Sequence, residues 1–93
     1  MAMRQQLREV LSIIAELAHN DINRDVYDTA VIDRIGVDEE ETRDHINELI
    51  GLGHVRELLP RMNRTEDGRR REFRLIGITR HGLQELTQDQ ELR

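Results

Sequence analysis

Cysteine, lysine and tryptophan are absent from this chain of 93 residues, and proline, tyrosine and phenylalanine occur once each. Without cysteine, the chain has neither a disulfide framework nor a thiolate metal site. No apolar run approaches the roughly 18 residues that a membrane-spanning helix needs, and no signal-peptide pattern opens the chain. The composition therefore predicts a cytoplasmic protein that does not interact with a membrane.

Catalytic and cofactor motifs are also missing. The sequence has no nucleophile motif and no glycine-rich phosphate loop, and no two histidines have the i, i+4 spacing of a helical zinc-ligand pair. A domain of this length also has little room for a deep substrate pocket. We expect a protein without enzymatic activity, bound metal or cofactor.

The charge balance is acidic. Nineteen acidic residues face fourteen arginines, which gives a formal net charge of −5. Arginine makes bidentate contacts with phosphate and carboxylate better than lysine does. Codon bias alone would also produce a chain without lysine. Adaptation to high salt would produce an acidic, lysine-free chain, because salt screens the repulsion between its negative charges. The composition leaves these interpretations open.

Hydrophobic periodicity predicts three helices in the first half of the chain. Met1–Ala18 carries an apolar stripe, and a short second helix covers Ala30–Ile35 and closes at a glycine. A third helix follows over about Asp38–Ile50. Its first residue and Glu41 have the spacing of a capping box.

Beyond the third helix the periodicity changes to that of β-strands. His54–Met62 and Arg69–Ile78 are rich in β-forming residues and flank a polar tip, which ends in an Asp-Gly hairpin signal. A kink is expected near Gly77, and Thr79 is expected to cap a final helix over about residues 79–88. Together these elements predict an α+β fold, mainly α, in one domain spanning residues 1–93.

The segment Ile32–Val55, the arginine-rich hairpin and the segment Ile78–Leu86 resemble the winged helix-turn-helix superfamily, and two motifs in them carry the resemblance. In many of its small members the helix-turn-helix ends in a leucine, a glycine and an aliphatic residue, and Leu49–Val55 matches this pattern. Their last helix often begins with a threonine, a glycine and a leucine, as Ile78–Leu86 does. The resemblance implies a helix-turn-helix over about residues 28–51, a β-hairpin wing over about 54–78 and a C-terminal helix over about 79–88. It further implies DNA binding or, as in other members, protein interaction.

In this superfamily the exposed face of the third helix usually enters the major groove. Here that face is predicted to carry four carboxylates and no base, from Glu40, Glu41, Asp44 and Glu48. Because DNA affinity rests on phosphate contacts by basic residues, such a face is unsuited to groove insertion. A solvated acidic face favoured by the helix dipole is the alternative interpretation. On its flanks, Arg43 and Asn47 are the predicted base readers.

The predicted wing has the opposite charge, since residues 54–78 contain seven arginines and four acidic residues. Arginine is favoured in narrow minor grooves. We therefore expect the wing to contact phosphates or the minor groove through Arg64, Arg69, Arg70 and Arg71. Alternatively, these arginines form cross-strand pairs with Glu66 and Glu72 of the wing itself, or their charge keeps the edge of the sheet from aggregating.

The sequence thus predicts a transcriptional regulator that binds duplex DNA through its arginine-rich wing as a homodimer. The alternative is a protein-interaction module, which would place the acidic face of the third helix or the basic wing against a protein partner. The opposite charges of these two surfaces also suit self-association of two copies.

Overall fold

A computed structural model describes residues 3–58, 62–66 and 68–91 of the chain. These residues form an α+β structure that is mostly helical, with two small antiparallel sheets. The elements follow the order α1 (Gln5–Leu17), β1 (Val26–Tyr27), α2 (Asp28–Ile35), α3 (Glu39–Gly51), β2 (Val55–Glu57), β3 (Met62–Glu66), β4 (Arg69–Phe73), β5 (Leu75–Ile78) and α4 (Arg80–Glu91). No helix in these ranges is long and apolar enough to cross a membrane.

The predicted apolar stripe of α1 forms the centre of the core. The helix begins at Gln5 rather than Met1, and its buried side chains are Leu7, Val10, Leu11, Ile14 and Ala15. They pack in one cluster with buried aliphatic residues of α2, α3 and the sheet, namely Val31, Ile46, Leu49, Val55, Ile76 and Ile78. Burial of this apolar face stabilises α1, and aliphatic rather than aromatic side chains supply the buried surface.

The turn between α2 and α3 follows the predicted chemistry in part. Gly36 adopts a left-handed conformation (φ 72°) and ends α2. Asp38 caps α3, but its carboxylate accepts from the amide of Glu40 at 2.9 Å rather than from that of Glu41. At the other end of α3 the chain turns at Gly53 (φ 82°), and the amide of His54 donates to the carbonyl of Leu49. This glycine exit leads directly into β2.

The three-stranded sheet has the order β1-β5-β2, with β5 in the centre. Its edge strand β1 was not predicted, because two residues are too few to show a strand period; Val26 pairs with Ile76 and Tyr27 with Leu75. The predicted strand Arg69–Ile78 is interrupted at Arg74, not near Gly77. At Arg74 the chain leaves its pairing with β3 and joins β1 and β2.

The second sheet is the hairpin formed by β3 and β4. The predicted polar tip is shorter than expected, because residues 63–66 are paired in β3. Glu66 pairs with Arg69, and Gly68 has φ 77°, while Asp67, the other residue of the predicted turn, lies outside the described residues. The predicted strand His54–Met62 ends at Glu57, and its residues 59–61 lie outside the described ranges.

The last helix begins as predicted. The hydroxyl of Thr79 accepts from the amide of Gly82 at 3.0 Å and donates to the carbonyl of Gly53 at 2.7 Å. The amide of Thr79 donates to the carbonyl of His54. These bonds fix the first turn of α4 against the loop between α3 and β2.

Candidate nucleic-acid interface

The register of the hairpin separates its arginines onto two faces. Arg64 lies opposite Arg71, and Thr65 lies opposite Arg70. Because side chains alternate along a strand and paired residues share a face, Arg64 and Arg71 lie on one face and Arg70 on the other. The backbone of Arg69 pairs with Glu66, and its side chain lies outside the described part of the structure. The predicted run of neighbouring wing arginines is therefore not a single cationic cluster.

Arg71 attaches the hairpin to the two helices below it. Its guanidinium contacts both carboxylate oxygens of Asp33, at 2.7 and 3.3 Å, and the carboxylate of Glu39 at 3.3 Å. The bidentate geometry with Asp33 is the strong form of an arginine-carboxylate pair. The Arg71 side chain is only 22% exposed, and its guanidinium already contacts carboxylates of α2 and α3.

The ion pair also changes the ionisation of Asp33. The hydrogen bond from Arg71 holds the pKa of the Asp33 carboxyl below its ordinary value of 3.8. A carboxyl whose pKa is lower in the folded state stabilises the fold above its unfolded-state pKa. That contribution is lost as the pH falls through the folded-state pKa.

Arg71→Gln is expected to raise the pKa of Asp33 towards its ordinary value, because the glutamine amide does not supply the positive charge. Titration of the Asp33 carboxyl by NMR measures this directly. Arg70→Gln is the matched control, since Arg70 lies on the other face of the same strand. An unchanged pKa in Arg71→Gln would contradict the assignment.

Arg43 does not occupy the position expected of a base reader. It is 8% exposed, and its guanidinium pairs with Asp28 at 2.9 Å and Glu39 at 3.0 Å. It also donates to the backbone carbonyl of Glu72 in the hairpin. Arg43 therefore joins α3 to α2 and β4 inside the protein and is not part of its exposed surface.

Asp28 is the centre of this buried cluster. Its side chain is fully buried and accepts the backbone amide of Arg74 at 3.0 Å in addition to Arg43. Its own amide donates to the carbonyl of Arg74, so the two residues bind each other at the point where β4 ends. The guanidinium of Arg74, which is also buried, reaches Glu57 at 2.8 Å. Arg43, a predicted base reader, and Arg74, one of the seven arginines of the predicted wing, are thus structural.

The remaining predicted contact residues are exposed. Arg64 lies on the hairpin with its guanidinium carbon 5.2 Å from the centre of the Phe73 ring. Arg70 is exposed on the opposite face, and Asn47 is exposed on α3. No described carboxylate forms an ion pair with Arg70. Arg64 and Arg70 are therefore the predicted hairpin cations that the structure presents to solvent.

The acidic face of α3 is exposed, as predicted. Glu40, Glu41, Asp44 and Glu48 all point to solvent, and Glu48 pairs with Arg4 at 2.6 Å. A surface of this sign repels a polyanion. Any nucleic acid that reaches the hairpin must avoid close approach to this face of α3.

Sequence reasoning missed two ring contacts, because each joins residues far apart in the chain. His54 and His81 stack with ring centres 4.6 Å apart, and Tyr27 contacts Phe73 edge to face at 5.7 Å. Burial lowers the pKa of His54, as does the neighbouring His81, while Glu85 acts in the opposite direction. Within the described ranges, no three histidine or acidic side chains converge to bind a metal.

The two motifs that resemble winged-helix regulators both lie where a helix meets a strand. Leu49–Val55 leads from α3 into β2, and Ile78–Leu86 leads from β5 into α4. No protein-family model matches the chain, and no curated protein is significantly similar to it in sequence. Membership of the superfamily therefore stays a prediction.

Proposed function

We propose that this protein is a winged-helix DNA-binding protein of the cytoplasm, without enzymatic activity, that regulates transcription. In this proposal α2 and α3 are the helix-turn-helix, and the β3–β4 hairpin is the wing. The observation that supports it best is the exposure of Arg64 and Arg70 on opposite faces of the hairpin. A hairpin with cations on both faces suits insertion between two phosphate backbones.

The hairpin, rather than α3, makes the main contact in this proposal. The outward carboxylates of α3 oppose groove insertion, whereas Glu39, at its first turn, already pairs with Arg43 and Arg71. Arg71 also holds the hairpin in a fixed position relative to α2 and α3. A fixed hairpin loses less conformational freedom when it binds.

The second candidate function is a protein-interaction module. The specific observation in its favour is the exposed acidic face of α3, where Glu40, Glu41 and Asp44 pair with no described basic side chain. Such a face complements a basic protein surface. Weak or absent DNA binding would favour this candidate.

Replacing Arg64 and Arg70 together by glutamine is expected to weaken binding to duplex DNA and to reduce its salt dependence. The slope of log affinity against log salt concentration is negative, and each lost phosphate contact reduces its magnitude by about 0.9. Fluorescence anisotropy of labelled duplex at several salt concentrations measures both quantities. Arg71 is left unchanged because of its ion pairs with Asp33 and Glu39.

The matched control for this experiment is Arg24→Gln with Arg80→Gln, which removes the same charge from exposed positions outside the hairpin. Equal loss in both double variants would show that net charge, not the hairpin, attracts DNA. Absence of wild-type binding at low salt would overturn DNA binding altogether. Wild-type affinity in the hairpin variant would exclude the hairpin as the contact.

A further inference from the structure

The only two aromatic rings of the phenylalanine, tyrosine and tryptophan class in this chain meet at the base of the hairpin. Tyr27 comes from β1 and Phe73 from the end of β4, and their ring planes make an angle of 64°. Met62 lies opposite Phe73 in the hairpin register, and the guanidinium of Arg64 lies over the Phe73 ring. We call these four residues the aromatic platform.

The aromatic platform is accessible from solvent. Tyr27 and Met62 are each 46% exposed, and Arg64 is exposed beside them, while Phe73 is half-buried. Aromatic rings usually gain most of their stabilising effect from burial. Tyr27 and Phe73 instead lie together where they are only partly buried, next to the exposed side chain of Arg64.

The charged groups beside the platform lie in ion pairs, and one exposed arginine belongs to the platform itself. Arg71, the next residue of β4 on the same face as Phe73, is matched by the carboxylates of Asp33 and Glu39. Both carboxylates lie in ion pairs, and Glu39 also contacts Arg43, which it shares with the buried Asp28. Arg64 adds an exposed positive charge at the platform itself.

We propose that the aromatic platform binds one unpaired base of a nucleic acid, at a junction between duplex and single strand. The inference rests on the proposed function, since the hairpin cations hold the adjoining phosphates. A base has an aromatic face and is attached to a phosphate chain, so Tyr27 supplies the stacking surface and Arg64 the charge. Base–aromatic stacking is tolerant of sequence and strengthens binding of single strands.

Tyr27 is the only tyrosine and the chain has no tryptophan, so its fluorescence reports on the platform without labels. The probes are a blunt DNA duplex and the same duplex with a short single-stranded extension. Quenching of Tyr27 by the extended duplex, and not by the blunt one, is the expected result. Binding of the extended duplex without quenching would overturn the inference.

Affinity measurements give an independent test. Wild-type protein is expected to bind the extended duplex about tenfold more tightly than the blunt one. Tyr27→Leu, which keeps an apolar side chain at this position, is expected to remove that preference and leave blunt-duplex binding unchanged. Leu52→Ala is the matched control, because Leu52 is about equally exposed but lies beyond the end of α3.

The outcomes separate the inference from the proposed function. Equal wild-type binding of both duplexes, lowered by the Arg64 and Arg70 substitutions, would overturn the platform and support the hairpin. Quenching by the extended duplex, with no binding of the blunt duplex at low salt, would support the platform and overturn binding of duplex by the hairpin alone. A preference retained in Tyr27→Leu, with its fold verified by circular dichroism, would also overturn the platform.

Discussion

Asp28→Asn is expected to lower the free energy of unfolding by about 3 kcal/mol or more, the effect of removing one partner from a buried ion pair. The fully buried Asp28 carboxylate contacts two buried guanidinium groups, Arg43 at 2.9 Å and Arg74 Nε at 3.3 Å. The Arg74 Nε contact is ionic, because that atom has no hydrogen-bond partner among the described residues. Asparagine keeps the shape of the side chain but leaves two positive charges facing each other.

Two other carboxylates limit the loss. Arg43 keeps Glu39 and Arg74 keeps Glu57, and both carboxylates are partly exposed. We therefore expect Asp28→Asn to fold at low temperature and to unfold early in a denaturant titration, which measures the change. The hydrogen bond from the Arg74 amide does not require the charge, since the side-chain carbonyl of asparagine also accepts.

Asp33→Asn is the matched control for this prediction. It removes a carboxylate that also pairs with an arginine, but the Asp33 side chain is largely exposed. Exposed ion pairs contribute only about 0–1 kcal/mol. Equal destabilisation by the two substitutions would contradict the central role of Asp28.

Gly82→Ala is expected to lower the free energy of unfolding by about 2 kcal/mol, in spite of the better helix propensity of alanine. A Cβ atom at residue 82 would lie 2.3 Å from the carbonyl oxygen of His54 and 3.1 Å from its carbonyl carbon. The obstacle is backbone, so no side-chain rotation relieves it. The first turn of α4 would have to move away from the loop that holds Thr79.

Gly51→Ala provides the control for this substitution. Gly51 ends α3, and a Cβ atom there would meet nothing within 4 Å. We expect its stability to be unchanged or raised by up to about 1 kcal/mol. Thermal unfolding of both variants measures the contrast, and a Gly82→Ala protein as stable as wild type would show that α4 shifts without loss.

Local chemistry was readable from the sequence. The stripe of α1, the glycine that ends α2 and the Thr79 cap depend on residues within a few positions of one another. The structure follows each of them, apart from the exact helix ends. These features were enough to predict an α+β fold that is mainly helical.

Contacts between residues far apart in the chain could not be predicted from the sequence. Arg43 was predicted to read bases, and Arg74 was counted among the arginines of the wing, whereas both are buried. Their burial depends on Asp28, which lies 15 residues from Arg43 and 46 from Arg74 along the chain. The meeting of Tyr27 with Phe73 has the same origin, since it follows from the unpredicted strand β1. The candidate contact surface changed most where such distant partners meet.

The position of β5 has a consequence for the order in which the protein folds. Val26 pairs with Ile76, about fifty residues further along the chain, whereas the β3–β4 hairpin closes over only two residues. Closing a long loop costs more conformational entropy than closing a short one, and contacts between distant residues slow folding. We expect the hairpin to form early and locally. The three-stranded sheet can form only after the helices have brought β1 next to β5. The contacts between Asp28 and Arg74 are therefore expected to be among the last to form.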